Sequence, residues 1–377
     1  MLYWLLFEKL HTTWGPMRLF GYVTFRVALA SIVAMLLTLI LGPAFIERLR
    51  RFQVGQYIRE EGPKWHSKKA GTPTMGGVLI IFSIAVPTLL FSNLKSPYPW
   101  LALFGLGSYG AIGFLDDYAK TVKKQNLGLT VKQKFGLQFL AALAIGFFLL
   151  LLHANGAYST AINVPFFKQF RPNLLIESLL GSPYTYPFAF VFFFGFVAFT
   201  LVGASNSVNL TDGLDGLAIG LMIVASGAVT ALAYLGTHRE FATYLDIERV
   251  PGGSELTIFC GAMTGACLGF LWYNAHPAEV FMGDVGSLGL GGALGTVAVL
   301  LKQEILLGFI GGVFIIEALS VIAQVASVRL RGKRLFLMSP LHHHFESLGW
   351  EESKVIIRFW IAGLVMALFA LTTLKLR

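Results

Sequence analysis

The stretch YVTFRVALASIVAMLLTLILGPAF (Tyr22–Phe45) decides the fold, because its 24 residues carry a single charge, Arg26. About 20 apolar residues of helix cross a bilayer core, and a run this long exceeds the apolar core of a cleaved leader. It reads as a spanning helix. Met1–Trp14, ahead of it, lacks a basic region and a small-residue cleavage site, so the segment is expected to be retained. Working outward, comparable runs recur near Gly76–Leu94, Trp100–Leu115, Phe135–His153, Phe188–Ala204, Leu217–Leu235, Leu256–Trp272, Leu288–Leu301, Ile305–Val328 and Val355–Leu374, which predicts ten spans. The fold class expected is all-α, with one polytopic membrane domain over residues 1–377.

Composition agrees with this reading. The chain is 55% hydrophobic and 13% charged, against about 25% charged in soluble proteins, and its mean hydropathy is +0.69. That excess of apolar surface needs lipid and leaves no soluble domain over. Cys260 and Cys267 lie seven apart in one apolar run, about 10 Å of helical rise and beyond disulfide reach, so neither a redox framework nor a zinc site is indicated. Gly261, Gly265 and Gly269 repeat at four-residue spacing, which lets helices approach closely. Gly105, Gly107 and Gly110 spell a G-x-G-x-x-G inside a spanning run, the wrong context for a dinucleotide fingerprint. No Walker A lysine motif, internal repeat or matched pair of broken helices occurs, and nothing points to a nucleic-acid partner.

Ten spans put both termini on one side and sort the connecting loops into two sets. One set holds seventeen Lys and Arg and the other ten, and the excess places the richer set in the cytosol and both termini in the periplasm. The cytosolic loops then fall near 47–75, 116–134, 205–216, 273–287 and 329–354. The long outer connections, Ala154–Pro187 and Thr237–Ser254, read as structural. Attraction to anionic lipid accounts for part of the basic content around Lys64–Lys69.

Five of six aspartates also fall in the inner loops: Asp116, Asp117, Asp212, Asp215 and Asp284, with Asp246 alone outside. Each lies at the edge of an apolar run, so all five would line one membrane surface. Adjacent carboxylates at 116 and 117 repel, and keeping both ionised near lipid needs a divalent cation, a basic neighbour or a raised pKa. The bland alternative is two solvated acids beside Lys120. In Asn206-Ser207-Val208-Asn209-Leu210-Thr211-Asp212-Gly213-Leu214-Asp215-Gly216, Thr211 or Asp212 would serve as an N-cap, which explains one acid. The remaining asparagines, acids and glycines suit the grip of a polar ligand. Asn209-Leu210-Thr211 also matches a glycosylation sequon, on the wrong side for that modification.

Between two later spans, Asn274-Ala275-His276-Pro277-Ala278-Glu279-Val280-Phe281-Met282-Gly283-Asp284-Val285-Gly286-Ser287 offers a carboxylate beside flexible backbone at a helix start. That placement suits a metal or a phosphate, or again a cap. His342-His343-His344 sits near Arg329, Arg331, Lys333 and Arg334; three consecutive side chains diverge, so phosphate binding or proton transfer by one or two fits better than one shared metal. Glu317, deep in the ninth span, is a functional candidate by default, and a hydrogen bond to a neighbouring helix is the reading preferred for it.

Acids, basic residues and histidines at one bilayer face suit a reaction between a cytosolic phosphate ester and a phosphate held in the membrane. Two anionic reactants repel, and a metal with lysines offsets that while stabilising the leaving phosphate. A lipid phosphate is already nucleophilic near neutral pH, its second pKa being about 6.

At this point the motifs resemble a known family. Gly71-Thr72-Pro73-Thr74-Met75-Gly76-Gly77, Asp116-Asp117-Tyr118, Asn209–Gly216, Phe281–Ser287 and His342-His343-His344-Phe345, in this order, look like those of the phospho-N-acetylmuramoyl-pentapeptide transferases (translocase I) of the polyprenyl-phosphate N-acetylhexosamine-1-phosphate transferase superfamily. The resemblance runs from the first residues to Leu374-Lys375-Leu376-Arg377, and the triple histidine favours this branch over the polyprenyl-phosphate GlcNAc-1-phosphate transferases. It implies Mg²⁺-dependent transfer of phospho-MurNAc-pentapeptide from its UDP carrier to undecaprenyl phosphate, giving lipid I and UMP, in the bacterial cytoplasmic membrane. It also implies Asp284 as a metal ligand, with Asp116 and Asp117 as base, metal neighbour or both. Asn209, Asp212, Asp215, Asn274 and Phe281 are expected around the uridine. Lys69, Thr74, Lys120, Lys132, Gln324, His342, His343 and His344 are expected around phosphates and sugar, His343 with a catalytic part. A homodimer is implied by the resemblance alone. His276 stands where an aromatic such as Tyr would be expected. Attack by the lipid phosphate and prior attack by an aspartate both fit these residues. The rivals from other classes are a transporter or flippase for an anionic lipid or nucleotide, which would place polar groups at the bilayer midplane, and a structural scaffold, which leaves the acids without a purpose.

Overall fold

The computed structural model describes residues 1–52, 71–123, 128–167, 169–175 and 186–375. After two short N-terminal turns the chain forms α1 (Val23–Arg51), α2 (Gly77–Phe91), α3 (Pro97–Lys123), α4 (Val131–Ala154), α5 (Tyr186–Ala189), α6 (Val191–Thr211), α7 (Leu217–Thr237), α8 (Arg239–Leu245), α9 (Glu255–Asn274), α10 (Gly283–Leu300), α11 (Glu304–Ile310), α12 (Gly312–Arg331), α13 (Leu341–Ser347) and α14 (Glu352–Thr372). Among the described residues β structure is confined to isolated bridges, one of them antiparallel between Ala161 and Asn173.

Eight of these helices, α1, α4, α6, α7, α9, α10, α12 and α14, are long and apolar enough to cross a membrane. The chain is a multi-pass membrane protein. The second and third predicted runs correspond to α2, whose 15 residues rise about 22 Å, and to α3, which continues past Leu115 to Lys123. Asp116 and Asp117 therefore stand inside a helix rather than at its end, because Lys120 follows one turn later and pairs with Asp116. The predicted run Ile305–Val328 is divided at Gly311 into α11 and α12. A glycine pair, Gly311-Gly312, is a weak point for helix propagation, and the two pieces follow different neighbours, α11 packing on α14 and α12 on α6.

The middle of the bundle is α10. It packs against α2, α3 and α6, and every residue from Val285 to Leu300 is buried. Glycines allow this approach: a Cβ on Gly113 of α3 would strike the carbonyl of Asp284. The α9 glycines do the same against α1, where a Cβ on Gly265 would meet the Ser31 carbonyl. Cys260 and Cys267 are buried, unbridged thiols on α9.

At the end of the bundle where α1 and α9 begin, Arg26 donates to Glu255 at 2.7 and 3.0 Å and to the Phe91 carbonyl at 3.0 Å. Glu255 also accepts from the Asn93 amide at 2.7 Å. The end of α2 is thus tied to the starts of α1 and α9. In the turn between α10 and α11, Lys302 donates to Glu304 at 3.0 Å and to the Tyr158 hydroxyl at 3.1 Å, all buried.

Candidate functional site

The opposite end of α10 gathers the acids. Asp284 occupies the first turn of α10, where the helix dipole favours a negative charge. Asp116 and Asp117, both buried on α3, bring carboxylate oxygens to within 4.8 Å of one another and of Asp284. Backbone amides hold them: Leu129 N–H donates to Asp116 Oδ1 at 2.7 Å and Val285 N–H to Asp117 Oδ2 at 3.2 Å. Lys120 Nζ stands among all three, 2.6 Å from Asp116, 3.6 Å from Asp117 and 2.9 Å from Asp284. Lys134 at the start of α4 reaches Asp284 at 3.0 Å. Three carboxylates against two ammonium groups leave one negative charge over, and this donor set could hold a metal ion.

Asn209, in the last turn of α6, donates its amide to Asp284 Oδ1 at 2.7 Å and to Ser287 Oγ at 2.8 Å, and its carbonyl accepts from Lys134 at 3.3 Å. Asp212 ends α6 and does not open α7, contrary to the capping alternative. The N-cap of α7 is Gly216, in the left-handed region at φ +79°, with no side-chain cap. The short turn between them leaves Asp212 in the field of Asp284, Asp117 and Asp215. Burial first, and then those three charges, hold its carboxyl well above the usual range.

Asp215 belongs to a second group. Its Oδ2 lies 3.1 Å from His276 Nδ1 and accepts from the Ala278 amide at 3.2 Å, while its own amide donates to Glu352 at 3.1 Å. Asp215, His276 and Glu352 form the other trio with metal-compatible spacing among the described residues. Asn274 accepts from the Gly216 amide at 3.1 Å and donates to the Val280 carbonyl at 2.9 Å, so it pins the loop before α10 to the turn before α7. Phe281, half-buried, pairs its backbone with the segment before α2: its N–H donates to Pro73 O at 2.8 Å and its O accepts from Gly76 N–H at 2.9 Å. Gly283 follows at φ +73°. A Cβ there would come within 2.6 Å of Asp117 Oδ2 and 2.9 Å of Thr74 Oγ1, so Thr74 borders the acids.

The three histidines of α13 take different hydrogen-bond partners, but they do not all diverge as expected, because the rings of His342 and His343 stand 4.2 Å apart between centroids. His342 is fully buried, taking Glu317 of α12 as partner for both its amide and its Nδ1 at 3.2 Å, which is the neighbouring-helix hydrogen bond expected of Glu317. His343 contacts Glu346 at 2.7 Å. His344 Nδ1 accepts from the Leu337 amide at 3.2 Å. Gln324 organises the segment ahead of α13: its carbonyl accepts from the Leu335 and Phe336 amides at 2.9 Å, and its amide donates to the Phe336 carbonyl at 3.1 Å.

Lys132 is exposed at the start of α4, outside the acid group, and Lys69 lies outside the described residues. Lys134, Ser287 and Glu352 were not singled out as site residues by sequence, and Glu317, a candidate by its depth in a span, was read as a hydrogen bond to a neighbouring helix. Lys134 sits one helical turn before Gln138, which exchanges hydrogen bonds with Asn206, so a shared α4 face toward α6 was the available signal.

Carboxylates and lysines converging at one end of apolar helices define a membrane-embedded transferase that handles phosphate esters. Residues 99–302 match the family profile described as glycosyl transferase family 4, and residues 69–81 match the phospho-N-acetylmuramoyl-pentapeptide-transferase signature 1. The chain is 64% identical to the phospho-N-acetylmuramoyl-pentapeptide-transferase of Solibacter usitatus, 60% to that of Koribacter versatilis and 61% to that of Acidobacterium capsulatum, each comparison covering 100% of both chains. The chain belongs to the phospho-N-acetylmuramoyl-pentapeptide-transferase family.

Proposed function

We propose that the chain moves phospho-MurNAc-pentapeptide from UDP-MurNAc-pentapeptide to undecaprenyl phosphate, giving lipid I and UMP, in the first membrane step of peptidoglycan synthesis. The observation that carries this reading is the meeting of Asp116, Asp117 and Asp284 with Lys120 and Lys134 at one end of the bundle. Mg²⁺ fits the donor set, since it takes one or two carboxylates and completes its shell with substrate phosphate oxygens. Bound there, it would offset the charge that develops on the leaving phosphate.

Asp284 and Asp117 are the proposed ligands. An oxygen of the lipid phosphate attacks the sugar-bearing β-phosphorus, a new P–O bond forms, and the bond from that phosphorus to the bridging oxygen breaks, the electron pair leaving with UMP. Asp116 or Asp117 takes any proton still on the lipid phosphate, and His343, oriented by Glu346, is assigned to proton transfer. Lys120 and Lys134 stabilise the leaving phosphate. Asn209, Asp212, Asp215, Asn274 and Phe281 are assigned to the uridine end. Lys69, Thr74, Lys132, Gln324, His342 and His344 are assigned to phosphates and sugar.

The same proposal places the loops near 47–75, 116–134, 205–216, 273–287 and 329–354 in the bacterial cytosol. It makes α2 and α3 spans as well, and makes the working form a homodimer. Purified protein given Mg²⁺, UDP-MurNAc-pentapeptide and undecaprenyl phosphate should release UMP. Release only from UDP-GlcNAc would move the assignment to the GlcNAc-1-phosphate branch, and transport without release would make the chain a flippase. A phospho-aspartyl enzyme trapped with the UDP substrate alone would exclude direct attack by the lipid.

A further inference from the structure

Glu317 and His342 are both wholly inaccessible, 0% exposed. An ionisable residue inside a spanning helix is costly and is retained where it serves a function. One Glu317 oxygen accepts from the His342 backbone N–H and the other lies 3.2 Å from Nδ1. A carboxylate oxygen facing Nδ1 is an acceptor, so we assign the ring proton to Nδ1. The remaining nitrogen, Nε2, is buried without a hydrogen-bond partner among the described residues. Such an orphan calls for an explanation. It is aimed at the turn between α6 and α7: a Cβ built on Gly213 would run into Nε2. Gly213 has an ordinary backbone conformation, so the ring beside it, rather than its own φ, is what excludes a side chain there.

From this geometry we infer that Glu317 is a positioning residue of the transferase. It locks His342 in the Nδ1–H tautomer and presses Nε2, as an acceptor, against the Asp212-Gly213 turn, and so sets where that turn stands opposite Asp284 and Asp117. The inference rests on the reading of that turn as part of the transfer site. His342 then acts from behind the turn, and its buried ring lies against that of the more accessible His343, the two centroids 4.2 Å apart.

Replacing the carboxylate with an amide tests the tautomer itself. In Glu317→Gln, the amide oxygen can accept from the backbone N–H only if the amide NH₂ faces Nδ1. That NH₂ is a donor, so the proton must move to Nε2 and an N–H is turned against Gly213. In full-length protein labelled with ¹⁵N-histidine, the His342 ring signals should show Nδ1–H in the wild type and Nε2–H in Glu317→Gln. UMP release should fall roughly tenfold or more in that variant, as for other losses of an orienting partner, and Glu317→Asp, which keeps a carboxylate, should retain the wild-type tautomer and part of the rate. Wild-type turnover in Glu317→Gln overturns the inference. So does lost turnover with an unchanged tautomer, which would mark a merely structural pair. Should Glu317→Gln not fold, Gly213→Ala carries the test: it should lose turnover while the Nδ1–H signal persists, and wild-type turnover there refutes the contact. A wild-type enzyme that releases no UMP would instead defeat the functional reading, with the tautomer assignment still measurable.

Discussion

At the scale of single residues, the acids do different work despite their shared chemistry. Asp284 and Asp117 face the same ammonium group, so Asp284→Asn and Asp117→Asn should each abolish UMP release while the protein still inserts and folds; near-normal turnover by either would refute its role. Lys134→Met should reduce turnover by about tenfold or more, since it removes one of two cations offsetting phosphate charge, and the check is the rate at saturating Mg²⁺. Asp212 yields a pH prediction. Below the ordinary carboxylate range both folded and unfolded chains are protonated there. As pH rises, the unfolded chain ionises Asp212 freely while the folded one resists, so stability falls through the raised folded value. Asp212→Asn should therefore gain melting temperature over the wild type at pH 8 relative to pH 5, measured in metal-free buffer. The acids were legible in the sequence because a carboxylate beside an apolar run has few inexpensive explanations. Lys134 was not, because lysines at helix starts equally serve topology, and only the packing of α4 on α6 shows which one turns inward.

At the scale of elements, the site is built by what α3 and α2 lack. A methyl on Gly113 would press on the Asp284 carbonyl, and one on Gly77 on the backbone of Gly286. Gly113→Ala should lower turnover more steeply than it lowers melting temperature, because the displaced group is the first turn of α10 and the rest of that helix has other contacts. The start of α4 makes a contrast. Thr130 accepts from the Gln133 amide and Gln133 returns the bond to the Thr130 amide, so Thr130→Ala should cost about 1 kcal/mol of stability. Apolar runs located the helices well, since lipid demands continuous hydrophobicity. They misplaced boundaries where polar residues continue a helix, as in Asp116–Lys123, and they joined α11 to α12 because a glycine pair is invisible to hydropathy. The turn between α6 and α7 also read as a helix start, since Thr211 and Asp212 are good caps in isolation; the left-handed glycine at 216 takes that place in the fold.

At the scale of the whole molecule, the two ends of the bundle are separately organised. Arg26 and Glu255 lie at the far end of α1 and α9 from the acids, about 30 Å of helix away. Glu255→Ala strands a buried guanidinium and should destabilise the protein by about 3–5 kcal/mol, seen as a lowered melting temperature, with UMP release per folded molecule near normal.

The glycine-lined seat of α10 also bears on antibacterial resistance. A compound competing for this centre would meet a wall that has no room for bulkier residues, since enlargement at 77, 113 or 286 shifts the very carboxylates the organism needs. Drug-evading alleles should accordingly accumulate at the rim, at an accessible position such as His276, to which no substrate contact is assigned and where a swap alters the inhibitor's footing and spares the chemistry.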